Sequence, residues 1–250
     1  MPLQDFLKHN PRIAVAYSGV VDSSFLIYAA KAAGCDVHAY FIKSPFQPEL
    51  EHDDAVRFAN SISVPLTIGT LDVLNEHNIV NNTADRCYYC KSAIMSRLRE
   101  LAGADGYTVL CDGTNADDDE LDRPGMRALR EQGVLSPLRD SGLTKEEIRR
   151  LSEQEGLFTS NKPSYSCLAT RIPTGTIITE ELLGKIERSE NALLDMGFTD
   201  FRVRLLPPCG AKLQLPAAQW DAAAALRAEI IAALQPDFID VALDLKPRST

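Results

Sequence analysis

The stretch RIAVAYSGVVDSSF, residues 12–25, decides the fold. Its first six residues form a β-rich apolar run, and from Val21 the pattern becomes helical over 21–33. Ser18-Gly19-Val20 is therefore the loop between a strand and a helix. In such a place successive backbone N–H groups and the positive end of the helix converge on one point and favour an anion. The hydroxyls of Ser18, Ser23 and Ser24 add donors for phosphate oxygens, and Asp22 offers a carboxylate to Mg²⁺. There is no lysine in the stretch, so it is not the Gly-Lys-Ser/Thr phosphate loop. A Ser-rich helix cap with no ligand is the plain alternative. Val20 stands where many such loops carry a second glycine. A valine there is costly if the backbone needs a positive φ, and serviceable if only a free N–H in ordinary backbone is required.

Working outward, VHAYFI (37–42), VPLTIG (64–69) and YTVLCDG (107–113) repeat the apolar strand pattern. Helical stretches at 53–62 and 86–102 separate them. Nearly continuous apolar strands joined by helices predict parallel βαβ units covered on both faces. The expected class is α/β, a doubly wound, mainly parallel sheet with ligands beyond the carboxyl ends of its strands. Gly113, Thr114 and Asn115 follow the fourth strand at that edge, ahead of an acidic loop in which Asp117–Asp119 offer carboxylates for Mg²⁺ or for solvent. SGLTKEEIRRLSEQEG (141–156) predicts a helix with a capping box from Ser141 or Thr144 to Glu147.

The texture changes near residues 160–178, a polar Ser/Thr/Pro/Gly-rich loop of the kind that often carries function. Beyond it an α-β-β-α-β tail is expected: a helix over 179–197, strands FRVRLL (201–206) and AKLQLP (211–216), a helix over 217–233 and a last strand FIDVALDL (238–245). This gives a first domain over 1–172 and a smaller α+β domain over 173–250. Arg202 and Arg204, at i and i+2, share one face of a strand, where two guanidinium forks suit a phosphate. A solvated basic edge strand is the alternative.

The chain has 250 residues, 45% of them hydrophobic, which supports a sizeable core. With 26 Lys and Arg against 35 Asp and Glu the net charge is −9, which argues against a nucleic-acid partner. No apolar run is long enough to span a membrane. MPLQDFLKHNPR lacks the pattern of a signal peptide, so a cytoplasmic setting with reduced thiols is expected. In that setting the six cysteines read as core fillers, ligands or reactive thiols. Cys111 ends an apolar strand and fits core packing, while Cys35 and Cys209 suggest no role. Cys87 and Cys90 form a C-x-x-C, compatible with a redox pair, half a zinc site or an iron–sulfur anchor. Cys167 lies in the polar loop. Two cysteines a helical turn apart and one remote cysteine can hold three irons of a [4Fe–4S] cluster, leaving the fourth open to a sulfide. Arg86, Lys91, Lys162 and Arg171 flank these cysteines and favour thiolates or bound anions.

SGVVDSS resembles the PP-loop of adenylating ATP pyrophosphatases, Ser-Gly-Gly-x-Asp-Ser-Ser/Thr. The likeness implies that Ser18, Gly19, Val20, Asp22, Ser23 and Ser24 grip the pyrophosphate of ATP, with Asp22 at Mg²⁺. RCYYCK, DGTNADD, the RPG at 123–125, SPL at 136–138, KPSYSCLATRIPTG and FRVR then occur in order. Together with the loop they look like the LarE family, over about residues 10–245. This family comprises ATP-dependent sulfur transferases of nickel-pincer cofactor biosynthesis. The resemblance implies adenylation of a carboxylate of pyridinium-3,5-biscarboxylic acid mononucleotide, then replacement of its oxygen by sulfur from sulfide or another donor. In one family variant a cysteine at the position of Cys167 gives up its own sulfur. In the other, three cysteines hold a [4Fe–4S] cluster, and Cys87 and Cys90 match that variant. The likeness also implies nucleotide contacts by Gly113, Thr114, Asn115 and Arg171, substrate-phosphate contacts by Glu190, Arg202 and Arg204, and a homo-oligomer. Val20, Thr174 and the Tyr165-Ser166 pair depart from the family pattern. A tRNA-thiolating enzyme, or a non-catalytic nucleotide- or cluster-binding protein, are the competing readings.

Overall fold

Helix α1 (Leu3–His9) leads into β1 (Arg12–Ala16), which is apolar on both faces because both are covered. Ile13 and Val15 join one buried cluster with Phe25, Leu26, Phe58 and Ile148, whereas Ala14 and Ala16 join a second with Met95, Leu98 and Leu129. This computed structural model describes residues 1–118, 124–163 and 165–248. The chain packs as two units, Met1–Val73 with Ala84–Lys162, and Leu74–Thr83 with Pro163–Thr250.

In the first unit β1 is followed by α2 (Val21–Ala32), β2 (Asp36–Lys43), α3 (Glu49–Ser61) and β3 (Leu66–Thr70). A short helix α4 (His77–Val80) belongs to the second unit, after which α5 (Arg86–Ala104) and β4 (Leu110–Asp112) resume the first. The four strands form an all-parallel sheet in the order β3-β2-β1-β4. Strand order reverses direction between β1 and β4, so the loops leaving these two strands flank the switch point where open α/β sheets bind ligands. The expected α/β class is what the chain adopts. Helices α6 (Pro124–Glu131), α7 (Pro137–Asp140) and α8 (Lys145–Gln154) complete the unit. Of these, α6 follows the acidic loop, in a stretch to which the sequence reading assigned no element. α8 carries the expected capping box, between Thr144 and Glu147 rather than from Ser141.

The second unit contains α9 (Glu180–Asp195), β5 (Arg202–Leu206), β6 (Gly210–Gln214), α10 (Trp220–Ala225), α11 (Arg227–Leu234) and β7 (Asp240–Leu243). β5 and β6 pair antiparallel and β6 and β7 pair parallel. The single helix expected over 217–233 is broken at Leu226, which lies outside both α10 and α11. Residues 74–83 join this unit through backbone geometry that sequence pattern does not reveal. Asn82, at φ 51°, donates to the carbonyls of Ile172 and Pro173 at 3.2 and 2.8 Å, and its own carbonyl accepts from Gly175 N at 2.9 Å.

Candidate functional site

The loop after β1 is built from backbone and small hydroxyls. Gly19 has φ +75°, and a Cβ there would lie 2.8 Å from the carbonyl oxygen of Glu51, so this position needs glycine on two counts. Val20 has φ −109° and ψ 170°, ordinary extended backbone, and serves as the N-cap of α2. The second glycine of the PP-loop pattern is thus not required here for its conformation. Ser24 Oγ donates to the Val20 carbonyl at 2.9 Å, and Ser18 Oγ and Ser23 Oγ are 2.9 Å apart. Tyr17 and Ser24 share a hydrogen bond at 3.1 Å. Burial raises the Tyr17 pKa far beyond the usual phenol range, despite the opposing bond from Ser24.

The neighbouring loop after β4 closes on this one. A Cβ on Gly113 would stand 2.6 Å from the backbone nitrogen of Ser23, at the first turn of α2, so only glycine lets the two loops approach. Asp112 ties that loop down, accepting from Thr114 Oγ1 at 2.6 Å and from Ser136 Oγ at 2.7 Å. Asn115 Nδ2 reaches Asp22 Oδ1 at 3.4 Å. Asp117 accepts from Lys145 N at the start of α8 at 2.7 Å, and Asp118 from Asn115 N within the loop at 3.1 Å. Asp119 lies outside the described residues.

Two lysines complete the loop, Lys145, to which the sequence reading gave no role, and Lys162, which it had set beside the cysteines. Lys145, the first residue of α8, donates its ammonium to Asp22 Oδ2. Lys162 donates to the Gly19 carbonyl at 3.0 Å and pairs with Asp54 at 2.6 Å. The signal for Lys145 was present in the capping box, which starts α8 at this residue, but not its direction toward Asp22. Asp22 is buried, and the Lys145 ammonium lies beside it. An oxygen donor of this kind, with the Asn115 amide next to it, fits Mg²⁺.

In the same unit Cys87 and Cys90 lie at the start of α5, one turn apart, the first exposed and the second half-buried. Arg86 Nη2 is 3.4 Å from the Cys87 sulfur. Neither cysteine is in a disulfide. Sulfurs at i and i+3 on one helical face, outside any disulfide, fit the thiolate chemistry of an iron–sulfur centre. Cys111 is different: it is fully buried in the strand, and burial pushes its thiol up to about 12. That is the expected core role.

The second unit holds a site of opposite character, assembled from long side chains. Arg171 and Glu190 form a two-pronged pair, Nε to Oε1 at 2.9 Å and Nη2 to Oε2 at 3.0 Å, with both residues 1% exposed. Glu190 also accepts from Val203 N at 2.9 Å and from the Tyr165 hydroxyl. Its carboxylate therefore receives four donors from its own unit. The remaining prong of Arg171, Nη1, donates to Ser166 O at 2.6 Å, Ser166 Oγ at 2.8 Å and Thr170 Oγ1 at 2.9 Å. Burial works against the Arg171 charge, but the bonds and charge of Glu190 more than offset it and raise its pKa.

Arg202 is 2% exposed, which removes the solvated-edge reading of this strand. Burial, then the charges of Arg171 and Arg248, hold its pKa down to about 10. Arg204 is lowered for the same reasons, and it donates to the Thr170 carbonyl at 2.6 Å. Both guanidiniums feel the same two neighbouring arginines, as expected for i and i+2 on one strand. The ring of Tyr165 lies under Arg171 and Arg202, with centroid distances of 4.6 and 4.8 Å. Buried like charges of this density lower their own cost when an anion joins them. Cys167 is half-buried in this unit, and its carbonyl accepts from Thr170 N at 3.0 Å.

Over 215 residues, 85% of this chain and 78% of the relative, the chain is 33% identical to the pyridinium-3,5-bisthiocarboxylic acid mononucleotide synthase of Lactiplantibacillus plantarum. The chain belongs to the LarE family. It is also 35% identical over 218 residues (87% of the chain, 81% of the relative) to an uncharacterized protein of Synechocystis. An uncharacterized protein of Methanocaldococcus jannaschii is 32% identical over 195 residues, 78% of the chain and 74% of that protein. No family model matches the chain. Among the described residues, no helix is long and apolar enough to cross a membrane.

Proposed function

We propose that this LarE-family protein is an ATP-dependent sulfur transferase of nickel-pincer cofactor biosynthesis. It adenylates a carboxylate of pyridinium-3,5-biscarboxylic acid mononucleotide and exchanges the carboxylate oxygen for sulfur. The observation that carries the reading is the likeness to the synthase over most of both chains. The loop geometry supports the ATP half of it, and the arginine site the phosphate half.

A carboxylate is a poor acyl electrophile because oxide leaves badly. Transfer of AMP to its oxygen, with release of pyrophosphate, gives an acyl-adenylate whose leaving group is AMP. Attack of a sulfide on the acyl carbon then expels AMP and leaves a thiocarboxylate. In the first step the N–H groups at the start of α2, with Ser18, Ser23 and Ser24, take the pyrophosphate oxygens. Asp22 and Asn115 would hold Mg²⁺, which supplies charge neutralisation of the departing pyrophosphate. Lys145, whose ammonium donates to Asp22, would serve as a further donor to the phosphates. Gly113 and Thr114 line the nucleotide edge of the sheet. Arg202 and Arg204 bind the phosphate of the mononucleotide, and Arg171 with Glu190 keeps them in place. Cys87, Cys90 and Cys167 would hold a [4Fe–4S] cluster, which would supply the sulfide for the second step.

The test is anaerobic reconstitution with iron and sulfide, followed by mass spectrometry of the pyridinium substrate after incubation with ATP. The reading expects conversion of carboxylate to thiocarboxylate with stoichiometric AMP. Protein that holds iron and binds ATP yet leaves the substrate unchanged contradicts it.

A further inference from the structure

Tyr165 is one of the positions at which this chain departs from the family pattern, and it takes a place in the second unit that a small residue could not. Its hydroxyl is bound to Glu190 Oε2. Its ring lies 4.6 Å from the Arg171 guanidinium and 4.8 Å from that of Arg202. The next residue is fastened to the same ion pair, since Ser166 accepts Arg171 Nη1 at both its carbonyl and its hydroxyl, at 2.6 and 2.8 Å. The residue after that is Cys167, whose carbonyl lies 3.3 Å from the same Nη1 and also takes Thr170 N and Thr170 Oγ1 at 3.0 and 2.8 Å.

We infer that Tyr165 is a positioning residue: its phenol and ring clamp residues 165–167 onto the buried Arg171–Glu190 pair and so hold Cys167 in one place for sulfur delivery. The pair itself is the anchor because it cannot move cheaply. A buried guanidinium and carboxylate joined at both prongs are costly to separate. A short segment fixed at three successive residues to such an anchor has little freedom left. Cation–ring contact strengthens when it is desolvated, so the ring contributes beyond its hydroxyl. The inference rests on the sulfur-transfer reading for its purpose, but its structural half stands without it.

Two variants separate the parts. Tyr165→Phe keeps the ring and loses the bond to Glu190, whereas Tyr165→Ala loses both. Hydrogen exchange in the metal-free protein, read by mass spectrometry, gives a local measure. Peptides spanning 165–172 should exchange at least tenfold faster in Tyr165→Ala and by a smaller factor in Tyr165→Phe, with peptides spanning 12–32 unchanged. In reconstituted enzyme at saturating substrate, thiocarboxylate formed per pyrophosphate released in a single turnover should fall at least tenfold in Tyr165→Ala. Phe should restore most of it. Unchanged exchange at 165–172, or faster exchange shared equally by 12–32, overturns the clamp. Pyrophosphate release and thiocarboxylate formation falling together overturns its role in positioning Cys167. Should wild-type protein hold no iron and thiolate nothing, the sulfur-transfer reading fails, and the exchange result still decides the clamp.

Discussion

The two candidate sites of this chain are made in opposite ways. The loop site in the first unit is backbone and small hydroxyls, gathered from adjacent residues at the end of β1 and fitted to β4 by a single missing Cβ at Gly113. The arginine site in the second unit is long side chains drawn from a polar loop, a helix and a strand, held by one carboxylate that accepts four donors. The first depends on geometry at a few glycines, and the second on a charge balance in a dry place. Substitutions should therefore break them differently: the first in rate with the fold intact, the second in stability and substrate affinity together.

The largest expected effect is in the loop. Gly19→Ala forces a side chain into a positive-φ position and against the Glu51 carbonyl, and should lower ATP-dependent pyrophosphate release by at least about 100-fold, the scale of losing preorganised donors. Asp22→Ala should abolish release. Retained release in either variant removes the loop from the mechanism. Next comes the second unit. Glu190→Ala leaves Arg171 as a buried cation with no carboxylate, a loss of about 3–5 kcal/mol. It should appear as a large drop in denaturant midpoint, and an effect confined to a raised substrate KM would mean the pair is not structural.

Such contrasts also explain what the sequence made visible. β1 and its loop were legible because strand, turn and helix cap are neighbours in the chain, and the apolar runs told of a sheet covered on both faces. The capping box at Thr144 was legible for the same reason. What local pattern cannot supply is long-range assembly. Lys145 could be placed at the start of a helix, but not beside Asp22, 123 residues away. Glu190 was singled out by the family likeness alone, as a substrate-phosphate contact, and only the fold shows it meeting Arg171, Tyr165 and Val203. Asn82 gave no sign that residues 74–83 would join the second unit. The break at Leu226 lies in an alanine-rich stretch whose helical propensity is continuous, so tertiary packing decides it. The role of Val20 was undecided by sequence because it depended on a single dihedral angle.

That angle yields a smaller, sharper prediction. Since Val20 is extended, Val20→Gly should leave pyrophosphate release within about twofold of wild type and cost about 0.5–1 kcal/mol of stability through added backbone freedom. A large gain in rate would show that the valine side chain obstructs phosphate. The smallest effect lies near the start of β2, within the first unit. Burial lowers the pKa of His38, against the opposing charges of Asp105 and Asp36. The folded state thus binds this proton less readily than the unfolded chain. The contribution of His38 is full above the ordinary value of about 6.5 and is lost as pH falls below it toward the lower folded value. Melting curves from pH 7.5 to 5 should show a decline that His38→Gln lessens; an unchanged slope rejects the assignment.

The central claim is that a PP-loop carrying valine for its second glycine is a working adenylation site. Its most direct measurement is the nucleotide product formed from ATP by wild-type protein with Mg²⁺ and the pyridinium mononucleotide. The account predicts substrate-dependent AMP and pyrophosphate, cleavage between the α and β phosphates. ADP and phosphate as products, or no cleavage by protein that binds ATP, would contradict it.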